Sequence, residues 1–271
     1  MHQNHGVERR TAIVTGASSG IGAAYADRLA RRGFDLVLVA RRADRLEALA
    51  KEIASSLGRQ VRVVAADLAC ESDLRRIEGI VEATSDLSLI ANVAGTGALG
   101  PATSINPSAV EAMLKVNVIA LTRLSLAASR RFTAVGAGTI INIGSIVAVM
   151  AVPGAGAYSG SKAYVFDFSR ALQAEAEGHG VTVQVVMPGP VYSEFFGEAP
   201  PPFPAGLFMS ADMLVDTALA GLDRGETVTF PTLHDSDRWD AFEAARKQLV
   251  HGLLQTGLPA QRYASQSAIM E

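Results

Sequence analysis

Cysteine is almost absent from this chain: Cys70 is the only one in 271 residues. A lone thiol forms no internal disulfide, so a disulfide framework is excluded and nothing calls for an oxidising compartment. Charge is sparse as well. Charged residues make up 19% of the chain, and the formal net charge of −3 comes without a long basic run. The electrostatic footprint of a nucleic-acid or anionic-membrane binder is therefore missing, and neither partner is expected. Residues 1–10 lack the apolar core of a signal peptide and are expected to form a flexible N-terminal tail. His234, Trp239 and His251 lack metal-ligand spacing, so no metal is expected. No composition break divides the chain, whose length suits one large domain.

Apolar residues and glycine are abundant, with 49% hydrophobic residues and 25 glycines. The apolar residues fall into short runs that alternate with helical periodicity. Strands are predicted at 11–15, 35–39, 61–66, 89–92, 138–143 and 181–187, with helices at 23–32, 44–57, 72–83, 107–134 and 157–178. Six such alternations require right-handed crossovers, hence an α/β fold with a doubly wound parallel sheet in a Rossmann-like three-layer arrangement. The most apolar stretch, 140–158, contains Asn142, Ser145 and Pro153 and reads as a buried strand leading into an active-site loop rather than a membrane span. After Pro190 four prolines interrupt residues 198–205, and a helix (211–223), a strand (227–230) and an amphipathic helix (238–254) follow. The expected organisation is one catalytic domain over 11–256, with a substrate loop at about 190–210 and a C-terminal tail at 257–271.

Between the first strand and helix lies Thr15-Gly16-Ala17-Ser18-Ser19-Gly20-Ile21-Gly22. Glycines at such a turn let a dinucleotide pyrophosphate approach the backbone, and the helix N-terminus offers free N–H groups to its charge. The second strand ends Val39-Ala40-Arg41-Arg42, with no acid to hold a ribose 2′-hydroxyl. A guanidinium there suits a 2′-phosphate, so Arg41, with Arg42 as the second candidate, favours NADP(H) over NAD(H).

Farther along, Tyr158-Ser159-Gly160-Ser161-Lys162 puts a phenol and an ammonium on one helix face. Hydride transfer to a carbonyl needs an acid to protonate the developing alkoxide. A free phenol titrates near 10, and positive charge from Lys162 and an oxidised nicotinamide is expected to lower Tyr158 toward neutrality.

The glycine spacing and the Tyr-x-x-x-Lys pair, in this order, resemble the short-chain dehydrogenase/reductases over roughly residues 11 to 193. The resemblance implies a catalytic tetrad of Asn117, Ser145, Tyr158 and Lys162, in which Ser145 bonds the substrate carbonyl and Asn117 holds a water that links Lys162 to solvent. For the cofactor it implies contacts from Gly16, Ser18, Ser19, Gly20, Ile21, Gly22 and Arg41 at the turn and second strand. Asp67 and Leu68 follow the third strand, and Asn92, Ala94 and Gly95 the fourth. Tyr158, Lys162, Pro188, Gly189, Val191 and Ser193 complete the set. Val93 departs from the family's second Asn, and Ser193 replaces its Thr.

The implied protein is an NADP-preferring, cytoplasmic oxidoreductase acting on a small carbonyl or secondary alcohol, assembled as a homodimer or homotetramer. The phenylalanines near the proline cluster fit an apolar or mixed substrate, though packing alone would also account for them. A non-catalytic NADP(H)-binding regulator or scaffold is the alternative, which the complete tetrad disfavours. A nucleotide-sugar epimerase would need a longer substrate domain.

Overall fold

The apolar runs line up as seven parallel strands in a computed structural model that describes residues 9–196, 203–254 and 256–263. Residues 1–8 of the expected N-terminal tail, 197–202 of the expected substrate loop and 264–271 of the C-terminal tail lie outside the described residues. The strands are β1 (Thr11–Thr15), β2 (Asp35–Ala40), β3 (Val61–Ala65), β4 (Leu87–Asn92), β5 (Gly138–Ile143), β6 (Val181–Val186) and β7 (Val228–Thr229). They lie in the order β3-β2-β1-β4-β5-β6-β7. β1 and β2 are buried almost throughout, whereas the edge strand β3 turns Arg62 to solvent. Continuous apolar runs are what a sheet covered on both faces demands.

The α-helices among the described residues are α1 (Gly20–Arg31), α2 (Ala43–Leu57), α3 (Glu71–Ala83), α4 (Pro107–Leu114), α5 (Leu121–Val135), α6 (Gly156–Ala176), α7 (Ala211–Asp223) and α8 (Asp237–Leu253). One face of the sheet packs against α1, α2 and α7 through Leu29, Leu46, Ile53 and Leu219. The other packs against α3, α5 and α6 through Ile77, Leu124, Phe132 and Leu172. Burying each such side chain contributes about 1.5–3 kcal/mol.

The chain leaves β1 toward β2 on one side and returns to β4 on the other. This reversal opens a crevice beyond the carboxyl ends of β1 and β4, where ligands bind in open α/β sheets.

The helix predicted over 107–134 is continuous, but its middle widens into a π-helical segment at Lys115–Ala120. By length and composition Pro107–Val135 could cross a membrane. Here Leu124, Ala128 and Phe132 pack under the sheet, and Arg123 pairs with Glu78 and Glu71 of α3. Elsewhere α1 begins at Gly20 rather than residue 23, and the last strand is shorter than the predicted 227–230.

The whole sheet and all the expected site residues belong to one compact unit that ends at Pro231. Residues from Thr232 onward form a second unit. Within it α8, read from sequence as amphipathic, has no buried residue.

Candidate active site

The turn after β1 is shaped by what its glycines leave out. A Cβ on Gly16, whose φ is +69°, would stand 2.8 Å from the backbone of Ala94, so only glycine lets the ends of β1 and β4 close together. A Cβ on Gly22 would meet the carbonyl oxygen of Gly16 at 2.2 Å, which couples the first turn of α1 to the end of β1. Thr15 fastens the same junction, its hydroxyl accepting from the backbone N–H groups of Val93 and Ala94 at 3.0 and 3.1 Å. Ser19, at the N-cap of α1, makes no side-chain cap, which leaves the first backbone N–H groups, including that of Ile21, to a ligand. This uncapped positive end beside a Cβ-free cradle fits a pyrophosphate.

Arg42 crosses this turn. Its Nη2 donates to Ser18 Oγ at 3.0 Å and to Ser19 Oγ at 2.7 Å, and its Nη1 bonds Glu194 at 2.5 Å. Arg41, the residue favoured from sequence, is exposed at the end of β2, so it is Arg42 whose guanidinium reaches the serines. Both arginines lie past the last residue of β2, and Arg42, the N-cap of α2 with an extended backbone, is the one directed to the turn. Past β3, Asp67 accepts from the N–H of Ala69 at 3.0 Å, and Leu68 is buried.

Asn92 faces away from the crevice. Its Nδ2 donates to Ser125 Oγ at 3.0 Å and to Asn142 Oδ1 at 2.9 Å, while Asn142 donates to Ser169 Oγ at 2.9 Å. Its side chain thus belongs to a buried polar network that ties β4 and β5 to α5 and α6. Ala94 and Gly95 follow at the crevice, and a Cβ on Gly95 would come within 3.3 Å of Asn117 Oδ1 and 3.9 Å of Lys162 Nζ.

Asn117 sits in the π-helical segment, whose extra residue per turn carries it inward until it is 1% exposed. Its side chain clamps Thr96, accepting from the backbone N–H and donating to the carbonyl, both at 2.9 Å, and it reaches Ser161 Oγ at 3.4 Å. The side chain is thereby engaged in positioning the loop after β4, a part the expected water-holding role did not include.

Ser145 follows β5 and Tyr158 and Lys162 project from α6, so the three converge where β5 ends. The Ser145 hydroxyl lies close enough to the Tyr158 phenol to favour its ionised form, and it donates to the carbonyl of Pro188 at 3.5 Å. Lys162 Nζ donates to the carbonyl of Ile143 at 2.8 Å and lies 5.8 Å from the centre of the Tyr158 ring. Among this chain's own groups, burial works against the expected lowering of the phenol. Burial pushes Tyr158 up to about 12, against the opposing effect of Ser145, and burial also pushes Lys162 down to about 8. The ammonium is itself desolvated, and its bond goes to a carbonyl rather than to the phenol.

The segment after β6 closes the site. The carbonyl of Pro188 accepts from the N–H of Ile146 at 3.0 Å, which sets the height of Ser145, and Gly189 packs near Ile146. Val191 is buried and bridges to Met209. Ser193 is exposed and caps the N–H of Phe195 at 3.3 Å, and its Cβ would lie 3.5 Å from a Cβ built on Gly20. Phe195 then tilts over Tyr158, with ring centroids 5.3 Å apart.

Thr15, Asn142, Ser125, Ser169 and Glu194 were not expected from sequence. Each acts through a partner distant in the chain, and none stands in a recognisable local spacing.

The profile of the family described as short chain dehydrogenase matches residues 10–201. Among solved structures, a short-chain dehydrogenase from Sphingobium yanoikuyae in complex with NADPH is 40% identical, with a TM-score of 0.90 over 94% of this chain and 100% of that one. The bulky-bulky ketone specific alcohol dehydrogenase from Comamonas testosteroni is 36% identical, with a TM-score of 0.87 over 95% of this chain and 100% of its own. Human (Homo sapiens) 17-beta-hydroxysteroid dehydrogenase type 3 is 33% identical over 178 residues, 65% of this chain and 57% of that protein. The match thus spans less than two thirds of that relative's length. With a profile that covers most of the chain and a solved relative alike over almost all of it, the protein belongs to the short-chain dehydrogenase family.

Proposed function

We propose that the protein is an NADP(H)-dependent oxidoreductase that interconverts a ketone and a secondary alcohol, with Tyr158 as general acid in reduction and general base in oxidation. The observation that carries this reading is the convergence of Ser145, Tyr158 and Lys162 at the end of β5, beside a cradle that fits a dinucleotide pyrophosphate. When bound, the reduced nicotinamide supplies the hydride for the carbonyl carbon. Tyr158 delivers its phenolic proton to the carbonyl oxygen, and Ser145 donates a hydrogen bond to the same oxygen as charge develops on it. Lys162 supplies the positive charge that favours the phenolate left behind. Arg42, with Ser18 and Ser19, takes the 2′-phosphate, and Arg41 is a secondary contact.

An apolar, bulky ketone is the substrate class. Phe195 covers Tyr158, and farther along the segment after β6 Tyr192, Phe203 and Phe208 form an aromatic cluster with ring centroids 4.9 Å apart for Tyr192 and Phe208 and 6.4 Å for Phe203 and Phe208. The names of two relatives, a bulky-bulky ketone alcohol dehydrogenase and a hydroxysteroid dehydrogenase, accord with this, and every relative named above is a dehydrogenase, which leaves the non-catalytic alternative without support. The reading includes a cytoplasmic homodimer or homotetramer that engages neither membrane nor nucleic acid, which sedimentation and cell fractionation test.

The deciding experiment is Tyr158→Phe assayed with NADPH and a panel of bulky aryl and alicyclic ketones. Turnover should fall by about 10²–10⁴-fold while NADPH still binds. Undiminished turnover would remove Tyr158 from the chemistry.

A further inference from the structure

One short turn lies across the whole track that a dinucleotide would follow. Ser193 stands against Gly20 of the phosphate turn. Glu194 takes Arg42 Nη1 on one carboxylate oxygen and Arg45 Nη1 on the other, each at 2.5 Å. Phe195 covers Tyr158, and its ring fills the space beside Gly97, where an added Cβ would come within 2.7 Å of it. Three consecutive residues therefore meet the pyrophosphate cradle, the arginine fork and the catalytic phenol.

The middle contact has the chemistry of a stand-in. Two guanidiniums converge on one anionic group of two oxygens, and Arg42 is held by Ser18 and Ser19 in the same pose. A phosphate monoester on a ribose 2′-oxygen offers three oxygens and a charge of about −1.5 to −2, more than a carboxylate brings. A 2′-hydroxyl brings no charge. The ion pairs are exposed, at 39% for Arg42 and 54% for Glu194, so they are screened and yield to a stronger anion.

Resting on the NADP(H) reading above, we propose that Glu194 is a specificity-determining residue that competes with the cofactor's 2′-phosphate for Arg42 and Arg45. NADP(H) displaces it from Arg42 and Arg45, and the turn 194–196 moves with it, which draws Phe195 off Tyr158. NAD(H), lacking the phosphate, leaves the latch shut. Cofactor discrimination and access to the catalytic phenol are then one event, and substrate enters after NADP(H).

The test uses 2′,5′-ADP and 5′-AMP as probes, with affinity read by calorimetry and the mobility of residues 191–196 by amide hydrogen exchange. In the native protein 2′,5′-ADP should bind at least tenfold tighter than 5′-AMP and should speed exchange in this segment, whereas 5′-AMP should not. Glu194→Gln should tighten 2′,5′-ADP about three- to tenfold, leave 5′-AMP unchanged and raise exchange in 191–196 without any ligand. If the native protein prefers 2′,5′-ADP but Glu194→Gln neither tightens it nor loosens the segment, the latch is overturned and the cofactor reading stands. If the native protein binds both nucleotides alike, the NADP(H) reading falls and the latch with it.

Discussion

Lys162 donates its ammonium to the main-chain carbonyl of Ile143 at 2.8 Å, from a side chain only 6% exposed. The bond crosses from α6 to the end of β5, two residues before Ser145, so it ties the height of the catalytic helix to the strand that presents the serine. Burying a charge on a carbonyl alone is costly, and it persists at functional sites because a ligand completes the coordination later.

That cost sets a pH-dependent stability. Burial lowers Lys162 from its ordinary 10.5 to about 8. Below pH 8 the ammonium is charged in folded and unfolded states alike, and the full burial penalty is present. Between pH 8 and 10.5 the unfolded state binds more protons, so the contribution of this residue to stability rises with pH. Lys162→Met should therefore be more stable than the native protein at pH 7, by about 3 kcal/mol from the size of the shift, and the gap should shrink by pH 9.5. Urea denaturation at the two pH values measures it, and a gap that stays constant or widens would contradict the burial argument.

Gly16 makes a sharper demand on its position. Its φ of +69° disfavours any L-residue, and the Cβ of Gly16→Ala would press on the backbone of Ala94 at 2.8 Å. Gly58 ends α2 with a similar φ of +63° but has open space around it. Gly58→Ala should cost about 1 kcal/mol, a backbone effect alone. Gly16→Ala should cost more than about 2 kcal/mol through added strain, and should loosen binding of 2′,5′-ADP because β1 and β4 are pushed apart. Thermal melts of both variants give the comparison, and equal losses would mean that the Ala94 approach carries no weight.

The elements visible in the sequence were those with local signatures. The glycine turn, the strand–helix alternation and the Tyr158/Lys162 pair each occupy a short window whose spacing has one physical reading. What escaped depends on tertiary placement. Which of Arg41 and Arg42 faces the serines follows from how β2 hands over to α2. That the Asn92 side chain joins Ser125 and Asn142 depends on the neighbouring strand and helix, which no local spacing shows. For Tyr158 the sequence shows the charge partner at i+4 but not the burial, and burial is the larger effect among this chain's own groups. The π-helical widening around Asn117 breaks the 3.6-residue period that the sequence reading assumed, and Glu194 lies next to the proline-interrupted region where no period exists at all.

The network around Asn142 predicts a separation of stability from chemistry. Asn142 Oδ1 accepts from Asn92 at 2.9 Å and from Ser125 at 3.2 Å, and its Nδ2 donates to Ser169, all within the core and away from the crevice. Asn142→Ala strands these partners in a low-dielectric setting, so the loss should be about 2–4 kcal/mol. Well below the melting temperature, kcat/KM should stay within about threefold of the native value, since no reacting atom is touched. A large fall in kcat/KM with the melting temperature unchanged would place Asn142 in the catalytic machinery instead.

Asn117 should behave in the opposite way. Its amide fixes both backbone groups of Thr96, and Thr96 adjoins Gly95, which packs against the Lys162 ammonium. Asn117→Ala removes the clamp and leaves the Thr96 backbone to solvent that the loop can admit, so stability should fall by only about 1–2 kcal/mol. Activity should fall further, by about 10²-fold, because a shift of the 93–96 loop displaces one wall of the crevice beside Lys162 and a misplacement of about 1 Å has that effect on rate. Asn117→Asp separates the two roles of the amide. It keeps the acceptor for the Thr96 N–H but lacks the donor to the Thr96 carbonyl, and its charge would be buried. If positioning is what matters, Asn117→Asp should recover part of the activity at a pH low enough to protonate the carboxyl, and Asn117→Ala should recover none at any pH. Matching pH profiles of kcat/KM for the two variants would rule out the clamp as the source of the effect.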